Sequence, residues 1–337
     1  MPSGEMLIKL FENFKNQDEE GFSKIAFEII EEEQKKNHFL LADKLKRAMF
    51  SSANSINGTP RFINTLGNLP KDKDNNTNLV DIKYTEKEEA DIVLNADIRE
   101  KLNNIVLENQ KRELLRSYGM KPKKKLLFCG PPGCGKTLTV EILSNMLNLP
   151  ILYTRFDSVV SSYLGETATN LSKIFNFAET GSWILFFDEF DAIGKSRDNH
   201  EEHGELKRVV NTFLQLMDNF ESESIIIAAT NYEKLIDNAL WRRFDEVIYF
   251  DKPTEDEIEK MLKLKFRTYK HKLKLKELGK EMIGFSFSDI ERICQDSIKK
   301  AILSDNKYVD LDLFKEVLKK EKERQKMILS FTEQTRR

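Results

Sequence analysis

The sequence predicts an α/β fold with a parallel five-stranded sheet, on two observations. Five short apolar runs alternate with segments of helical periodicity in the middle of the chain, and each run is apolar on both faces. Strands that are buried on both faces are typical of parallel sheets covered by helices. The runs are LLF (126–128), ILYTRF (151–156), ILFFD (184–188), IIIAAT (225–230) and EVIYF (246–250).

Helical patterns flank this region at both ends of the chain. The first 50 residues contain three stretches with apolar residues at helical spacing, beginning with LIKLFENF, and these predict a small bundle that is either a structural cap or a recruiting module. Polar residues with Gly and Pro follow, which is the composition of a linker. The predicted parts are a helical N-terminal module (1–50), a linker (51–85), an α/β domain (86–252) and a helical C-terminal domain (253–337).

Composition and charge exclude several classes of protein. Charged residues make up 33% of the chain, and no apolar run approaches the length of a membrane span. The N-terminus has acidic residues and no apolar signal region, and three cysteines form no even disulfide framework. We therefore expect a cytoplasmic protein with no membrane contact. The net charge of −2 gives no global reason to expect nucleic-acid binding, although the C-terminal region is basic.

The segment GPPGCGKT (130–137) matches the pattern G-x-x-x-x-G-K-[ST] and lies between an apolar run and a helical pattern. Its glycines allow backbone N–H groups to surround phosphate oxygens, and the helix N-terminus adds a favourable dipole. Lys136 is expected to reach the β- and γ-phosphates, and the Thr137 hydroxyl to ligate Mg²⁺. The predicted nucleotide-binding residues here are Gly130, Pro131, Pro132, Gly133, Cys134, Gly135, Lys136, Thr137 and Leu138.

The segment WILFFDEF (183–190) places two carboxylates at the end of a buried strand. Ligands bind at the carboxyl edge of open α/β sheets, so both carboxylates are candidates for catalysis. Asp188 is expected to hold Mg²⁺ through water, and Glu189 to polarise the attacking water. Together with the phosphate-binding loop, this pair predicts a phosphoryl-transfer site.

With these motifs, the region from about Asp91 to about Asp296 resembles AAA+ ATPases of the AAA clade. The resemblance implies a P-loop NTPase core that uses ATP and Mg²⁺, with the C-terminal domain as a lid. It makes Asn231 in IIIAATN the sensor of the γ-phosphate. DIVLNADIREKL resembles the family segment beside the adenine, which adds Ile92 and Val93. GFSFSDI (284–290) resembles the lid motif GFSGADI and adds Gly284, with Phe287 and Ser288 replacing Gly-Ala.

The resemblance also implies a hexameric ring with arginine fingers. ALWRRFDEV supplies Arg242 and Arg243 as the fingers, which would complete the site of the neighbouring subunit. The alternative is that one of these arginines pairs with nearby acids such as Asp245. In the P-loop, Cys134 stands where Thr or Ser is commoner in the family, which suggests that the site is sensitive to thiol reagents.

SSYLGETATN (161–170) reads as a polar loop before a helix at TNLSKIFNFAE (169–179), although an aromatic and a leucine lie inside it. In the rings of the resembled family this loop projects into the central pore. Tyr163, Leu164 and Gly165 fit the aromatic–apolar–Gly motif that grips a polypeptide there. The alternative is that Tyr163 packs into a local core.

The function that the resemblance implies is an ATP-driven remodeller that threads a protein substrate through a ring. A nucleic-acid motor or loader on the same core is the alternative, supported by the basic C-terminal region, and a scaffold without activity is a third interpretation. The N-terminal pattern resembles that of bacterial AAA ATPases often encoded beside subtilisin-like peptidases. A protease of subtilisin type is therefore a candidate partner.

Overall fold

The structure, a computed structural model, describes residues 4–15, 18–35, 45, 69–72, 77–155, 164–190, 203–231 and 241–334. These residues belong to two compact units, 1–69 and 70–337. The boundary between the units falls inside the segment predicted to be a linker. Among the residues that the structure describes, no helix is long and apolar enough to cross a membrane.

The described helices of the N-terminal unit are α1 (Gly4–Lys15) and α2 (Glu19–Lys35). Asp18 separates them, and its side chain accepts a hydrogen bond from the Gly21 N–H at 2.9 Å, which satisfies one free donor at the start of α2. The rings of Phe14 and Phe22 pack 6.1 Å apart across this turn. The third predicted helix, HFLLADKLKRAMF, lies outside the described residues apart from Leu45.

The second unit alternates strands and helices along the chain. Its strands are β1 (Asp81–Lys83), β2 (Lys125–Cys129), β3 (Ile151–Arg155), β4 (Ile184–Asp188), β5 (Ile225–Thr230) and β6 (Glu246–Tyr249). Its described helices are α3 (Ala96–Gln110), α4 (Arg112–Ser117), α5 (Lys136–Leu147), α6 (Leu164–Glu179), α7 (His203–Asn219), α8 (Glu255–Lys265), α9 (Leu275–Glu281), α10 (Phe287–Leu303) and α11 (Leu311–Gln334). One turn of 3-10 helix, Glu89–Asp91, precedes α3.

The six described strands form one sheet in the order β1-β3-β4-β5-β2-β6, in which β1 and β3 are antiparallel and the other neighbours are parallel. The α/β fold with five parallel strands is therefore confirmed, and β1 adds a sixth strand at one edge. β1 lies in the segment predicted to be a linker. It has only three residues, with a charge at each end, so it shows no apolar period that a sequence pattern can detect.

Helices cover both faces of the sheet and explain why the strands are apolar on both sides. On one face, α3 and α5 pack against the strands, and Leu143 of α5 and Phe128 of β2 belong to the same buried core. On the other face, the ring of Phe187 in β4 lies 5.8 Å from Phe175 of α6 and 5.2 Å from Phe213 of α7, measured between centroids.

The C-terminal helices α8 to α11 have a hydrophobic core of their own, which includes the buried side chains of Leu262, Ile293 and Phe314. Helix α8 begins with a capping box. The Thr254 side chain accepts a hydrogen bond from the Glu257 N–H, and the Glu257 carboxylate accepts one from the Thr254 N–H at 2.8 Å. These contacts fix the point at which the chain leaves the sheet and becomes helical.

The burial of β4 leads to a testable difference between two leucines. Leu185 in β4 is 0% exposed, whereas Leu303 at the end of α10 is 85% exposed. We expect Leu185→Ala to lower the free energy of unfolding by about 2–5 kcal/mol, because it leaves a cavity. The matched change Leu303→Ala should stay within about 0.5 kcal/mol of the parent. Urea denaturation followed by tryptophan fluorescence measures both, and equal losses would contradict this packing.

Candidate active site

The GPPGCGKT segment joins β2 to α5 in a turn with an unusually close backbone contact. Gly130 has a φ of +136°, and a Cβ atom at this position would lie 2.0 Å from the carbonyl oxygen of Phe250, just after β6. Only glycine tolerates both this conformation and this approach. Gly135 then precedes the first turn of α5, so the free N–H groups of a twelve-residue helix begin at the loop and favour an anion.

Lys136 is 7% exposed, and its ammonium group donates hydrogen bonds to three oxygens. Two are the carbonyl oxygens of Gly130 at 2.7 Å and Pro131 at 2.9 Å, and the third is Oδ1 of Asn231 at 2.8 Å. Asn231 directly follows β5, which neighbours β2 in the sheet. The structure therefore brings the predicted phosphate-binding lysine and the predicted sensor into direct contact.

Asp188 is the last residue of β4. Strand β5 lies between β4 and β2, and the Asp188 carboxylate faces the P-loop that follows β2. Its Oδ2 lies 3.4 Å from Oγ1 of Thr137, and its Oδ1 accepts a hydrogen bond from the Glu189 N–H at 2.9 Å. Glu189 has a left-handed φ of +54°, which costs of order 1–3 kcal/mol and is typical of functional sites. A hydroxyl and a carboxylate are the oxygen ligands that Mg²⁺ prefers, so the residues present fit this ion.

Tyr153 is a residue of this site that the sequence analysis missed. Its hydroxyl group, in β3, donates a hydrogen bond to Oδ2 of Asp188 at 3.0 Å. In the sequence, Tyr153 is one more aromatic residue within an apolar run, and such residues are usually core residues. The one clue to its role is its position in β3, the strand next to β4. Tyr153 lies two residues before Arg155, which is the register partner of Asp188.

The predicted adenine segment lies between the P-loop and the C-terminal helices. The Cδ1 atom of Ile92 lies 3.6 Å from the position that a Cβ on Gly135 would occupy. The next residue, Val93, packs against the hydrophobic core of α8 to α11. Two consecutive side chains therefore lie against the P-loop and against the C-terminal helices, and a base would be enclosed between these two parts of the protein.

The GFSFSDI motif also touches the P-loop. The N–H of Ser288, in the first turn of α10, donates a hydrogen bond to the carbonyl oxygen of Gly133 at 3.0 Å. The carbonyl oxygen of Gly284 accepts a hydrogen bond from Nζ of Lys252 at 2.8 Å. Ser288 is one of the two positions at which the motif departs from the family pattern, and its backbone nevertheless makes the contact with the loop.

The two predicted arginine fingers have different surroundings within the subunit. Arg243 Nε pairs with Oδ2 of Asp218 in α7 at 2.9 Å, whereas Arg242 is exposed. The alternative partner that we named, Asp245, accepts hydrogen bonds from the backbone N–H groups of Lys124 and Lys125, at 2.8 and 2.9 Å. An exposed pair such as Arg243–Asp218 contributes about 1 kcal/mol or less to stability, so this contact holds the guanidinium only weakly.

The prediction of a loop over 161–170 is wrong from Leu164 onward, because α6 begins at this residue. Leu164 and Gly165 lie in the first helical turn, and Tyr163 lies outside the described residues. Two of the polar residues that suggested a loop, Thr167 and Asn170, are buried instead, and the Asn170 side chain donates a hydrogen bond to Oδ2 of Asp72 at 3.2 Å. Buried polar residues on a helix look like loop residues when only the sequence is read.

Cys134 is buried, and burial raises the pKa of its thiol. A thiol of raised pKa is rarely present as the reactive thiolate. The expectation that this cysteine makes the site sensitive to thiol reagents therefore conflicts with its environment. Its side chain packs in the same core as Phe128 and Val140.

Comparison with known proteins agrees with this geometry. Residues 126–252 match the model of the ATPase family associated with various cellular activities (AAA), and residues 73–156 match the Rad17 P-loop domain. An uncharacterized AAA family ATPase of Sinorhizobium fredii is 39% identical over 324 residues, which cover 96% of this chain and 97% of the relative. A Methanocaldococcus jannaschii protein, named as a candidate 26S proteasome regulatory subunit homolog, is 34% identical over 209 residues, or 60% of this chain and 56% of that protein.

The α/β fold and the loop around Lys136 define a P-loop ATPase. The similarity to the S. fredii protein extends over almost the whole of both chains, and the family model covers the P-loop, Asp188 and Asn231. The chain therefore belongs to the AAA family of ATPases, which confirms the resemblance found in the sequence. It binds nucleotide and hydrolyses ATP.

The close contact at Gly130 can be tested with a matched pair of glycines. Gly130→Ala should abolish nucleotide binding, because its Cβ would overlap the Phe250 carbonyl group. Gly119 also has a positive φ, +73°, but no atom lies within 4 Å of its Cβ position. Gly119→Ala should therefore cost about 1–2 kcal/mol of stability, for the left-handed backbone alone, and leave binding intact. Fluorescent ATP-analogue titration and thermal melting measure both variants, and normal binding by Gly130→Ala would disprove the close contact.

Proposed function

We propose that this ATPase is a protein remodeller, which forms a hexameric ring and pulls a polypeptide through its central pore. The observation that carries the proposal is the place of the Tyr163-Leu164-Gly165 motif in the chain. The motif stands where the connection from β3 enters α6, and this connection leaves the same sheet edge as the P-loop and Asp188. An aromatic and an aliphatic side chain beside a glycine can grip an extended chain without reading its sequence.

The similarity to a protein named as a candidate 26S proteasome regulatory subunit homolog supports protein as the substrate. We assign the ATPase domain to residues 86–252, the lid to 253–337 and substrate recruitment to the N-terminal module (1–50), which precedes the linker (51–85). A protease of subtilisin type is our proposed partner, on the resemblance of the N-terminal pattern. The three cysteines are buried and form no disulfide, which suits the reducing cytoplasm as the proposed setting.

Each polar residue of the site has a proposed role in hydrolysis. The Lys136 ammonium neutralises charge on the β- and γ-phosphates. Asn231, which accepts a hydrogen bond from this ammonium, contacts the γ-phosphate. The Glu189 carboxylate orients and polarises the attacking water. Mg²⁺ held by Thr137 and Asp188 would supply further neutralisation of phosphate charge.

Three contacts support coupling between the nucleotide and the lid. Besides the Ser288–Gly133 hydrogen bond, the lid is linked to the ATPase domain by Arg267, whose guanidinium lies 3.4 Å from Asp91. The Lys252–Gly284 bond crosses the point where the two domains join. In the proposed cycle, loss of the products changes the angle between the two domains, and the pore loop moves with the core.

A nucleic-acid motor or loader is the second candidate. The observation that favours it is the match of residues 73–156 to the Rad17 P-loop domain. The basic character of the C-terminal region is compatible with this function. The net charge of −2 opposes it, because nucleic-acid affinity depends strongly on basic surface.

Substrate trapping distinguishes the two candidates. Glu189→Gln should bind ATP without hydrolysing it and hold the substrate in the ring, because the base that activates water is lost. The trapped material is identified by mass spectrometry, with a nucleic-acid assay on the same sample. We expect a polypeptide that disappears when Tyr163→Ala is added and persists with Tyr163→Phe, which keeps the ring. Nucleic acid without polypeptide would overturn the remodeller and favour the loader.

The proposed arginine fingers predict complementation between inactive variants. Arg242→Ala and Arg243→Ala are each compared with the parent, and loss of the dominant finger should lower turnover by about 10³-fold or more. Mixing that variant with Lys136→Ala should restore turnover, because an intact P-loop then meets an intact finger from the neighbour. Each preparation alone is the control. If the mixture stays inactive although mixed assemblies form, the arginine acts within its own subunit.

A further inference from the structure

The Asp188 carboxylate accepts hydrogen bonds from the neighbouring backbone and from a side chain of the adjacent strand. The Glu189 N–H binds Oδ1 at 2.9 Å, and the Tyr153 hydroxyl binds Oδ2 at 3.0 Å. Oδ2 is also the oxygen that faces Thr137 at 3.4 Å. The carboxylate is therefore held at both oxygens, and the phenol acts on the oxygen that points toward the P-loop threonine.

The sheet dictates how Tyr153 reaches this carboxylate. In the parallel pair of β3 and β4, Tyr153 lies opposite Phe186, and Arg155 lies opposite Asp188. Residues two apart on a strand share a face, so Phe186 and Asp188 both lie on the face that Tyr153 occupies. The ring of Tyr153 packs against Phe186 with centroids 5.6 Å apart, and its hydroxyl extends along the strand to Asp188.

The edge strand β1 holds the same ring from the other side. β1 pairs with β3 in antiparallel register, and Nζ of Lys83 lies 3.3 Å from the centroid of the Tyr153 ring. A cation over an aromatic face is attracted by the ring quadrupole. Phe186 and Lys83 thus restrain the ring from two neighbouring strands, and the direction of the hydroxyl is restrained with it.

We propose that Tyr153 is a positioning residue for Asp188, and that it orients this carboxylate for the magnesium–nucleotide complex. The inference rests on the proposed Mg²⁺ site at Thr137 and Asp188. Asp188 is expected to hold Mg²⁺ through water, and a hydrogen-bond donor to such a carboxylate limits its rotation. Hydrogen-bond partners of metal-binding groups contribute strongly to metal affinity. Lys83 supports the same arrangement indirectly, through the ring.

The test measures Mg²⁺ dependence directly rather than turnover. Full-length protein is titrated with Mg²⁺ in the presence of a fluorescent ATP analogue, and a parallel titration with the analogue in EDTA reports nucleotide affinity without the metal. Tyr153→Phe keeps the ring and removes the hydroxyl. We expect it to raise the half-saturating Mg²⁺ concentration by about 10-fold, which is a typical effect of losing a hydrogen-bond partner of a metal-binding group. The affinity for the ATP analogue in EDTA should stay unchanged. Lys83→Met should produce a smaller shift in the same direction.

The matched control is Tyr269→Phe, which removes a tyrosine hydroxyl that donates a hydrogen bond to the Asn306 carbonyl within the C-terminal helices. It should leave both titrations unchanged. If Tyr153→Phe has no greater effect on the Mg²⁺ titration than Tyr269→Phe, the positioning role is disproved. If Tyr153→Phe weakens binding equally in EDTA and in Mg²⁺, the tyrosine supports the sheet instead, and the proposal is also overturned.

Asp188→Asn separates failure of this inference from failure of the proposed metal site. If the parent protein depends on Mg²⁺ and Asp188→Asn loses that dependence, the metal site stands and the result for Tyr153→Phe judges the tyrosine alone. If Asp188→Asn responds to Mg²⁺ as the parent does, the metal site itself is wrong, and the role of Tyr153 falls with it.

Discussion

The ammonium group of Lys136 lies nearly buried at the carboxyl edge of the sheet, where a charge is costly unless polar groups surround it. Two carbonyl oxygens of its own loop and the amide oxygen of Asn231 offset this cost. To bring those carbonyls to the ammonium, the loop must turn back sharply after β2. The backbone then passes so close to Phe250 that position 130 requires glycine. The order β5-β2-β6 in the sheet places Asn231, which follows β5, at the lysine and Phe250, which follows β6, at Gly130.

The parts of the fold and site that are local in sequence are the parts that could be predicted. Five strands are apolar runs, and GPPGCGKT and the Asp188-Glu189 pair each carry their chemistry within a few consecutive residues. The start of α6 could not be predicted, because Thr167 in its first turns reads as a loop residue in the sequence and is buried only in the folded domain. Strand β1 was also missed, since a three-residue edge strand has no pattern.

Contacts between distant segments account for the remaining differences. Tyr153 meets Asp188 only because β3 and β4 are neighbours, and Arg243 meets Asp218 of α7 across 25 residues of sequence. The Ser288 contact with the P-loop uses a backbone N–H, which every residue except proline carries. Its side-chain identity therefore says little about the contact. Such features depend on the assembled fold, and a pattern of a few consecutive residues cannot reveal them.

Strand β1 also affects how the sheet meets other chains. An unprotected edge offers a row of backbone donors and acceptors to any extended peptide, and it is a common starting point for aggregation. Here β3, the strand that contains Tyr153, is covered by β1, which is short and carries Asp81 and Lys83 at its ends. Charged residues on a short edge disfavour further pairing. For an ATPase proposed to handle unfolded polypeptide, this edge lowers the risk that its own cargo adds to the sheet as an extra strand.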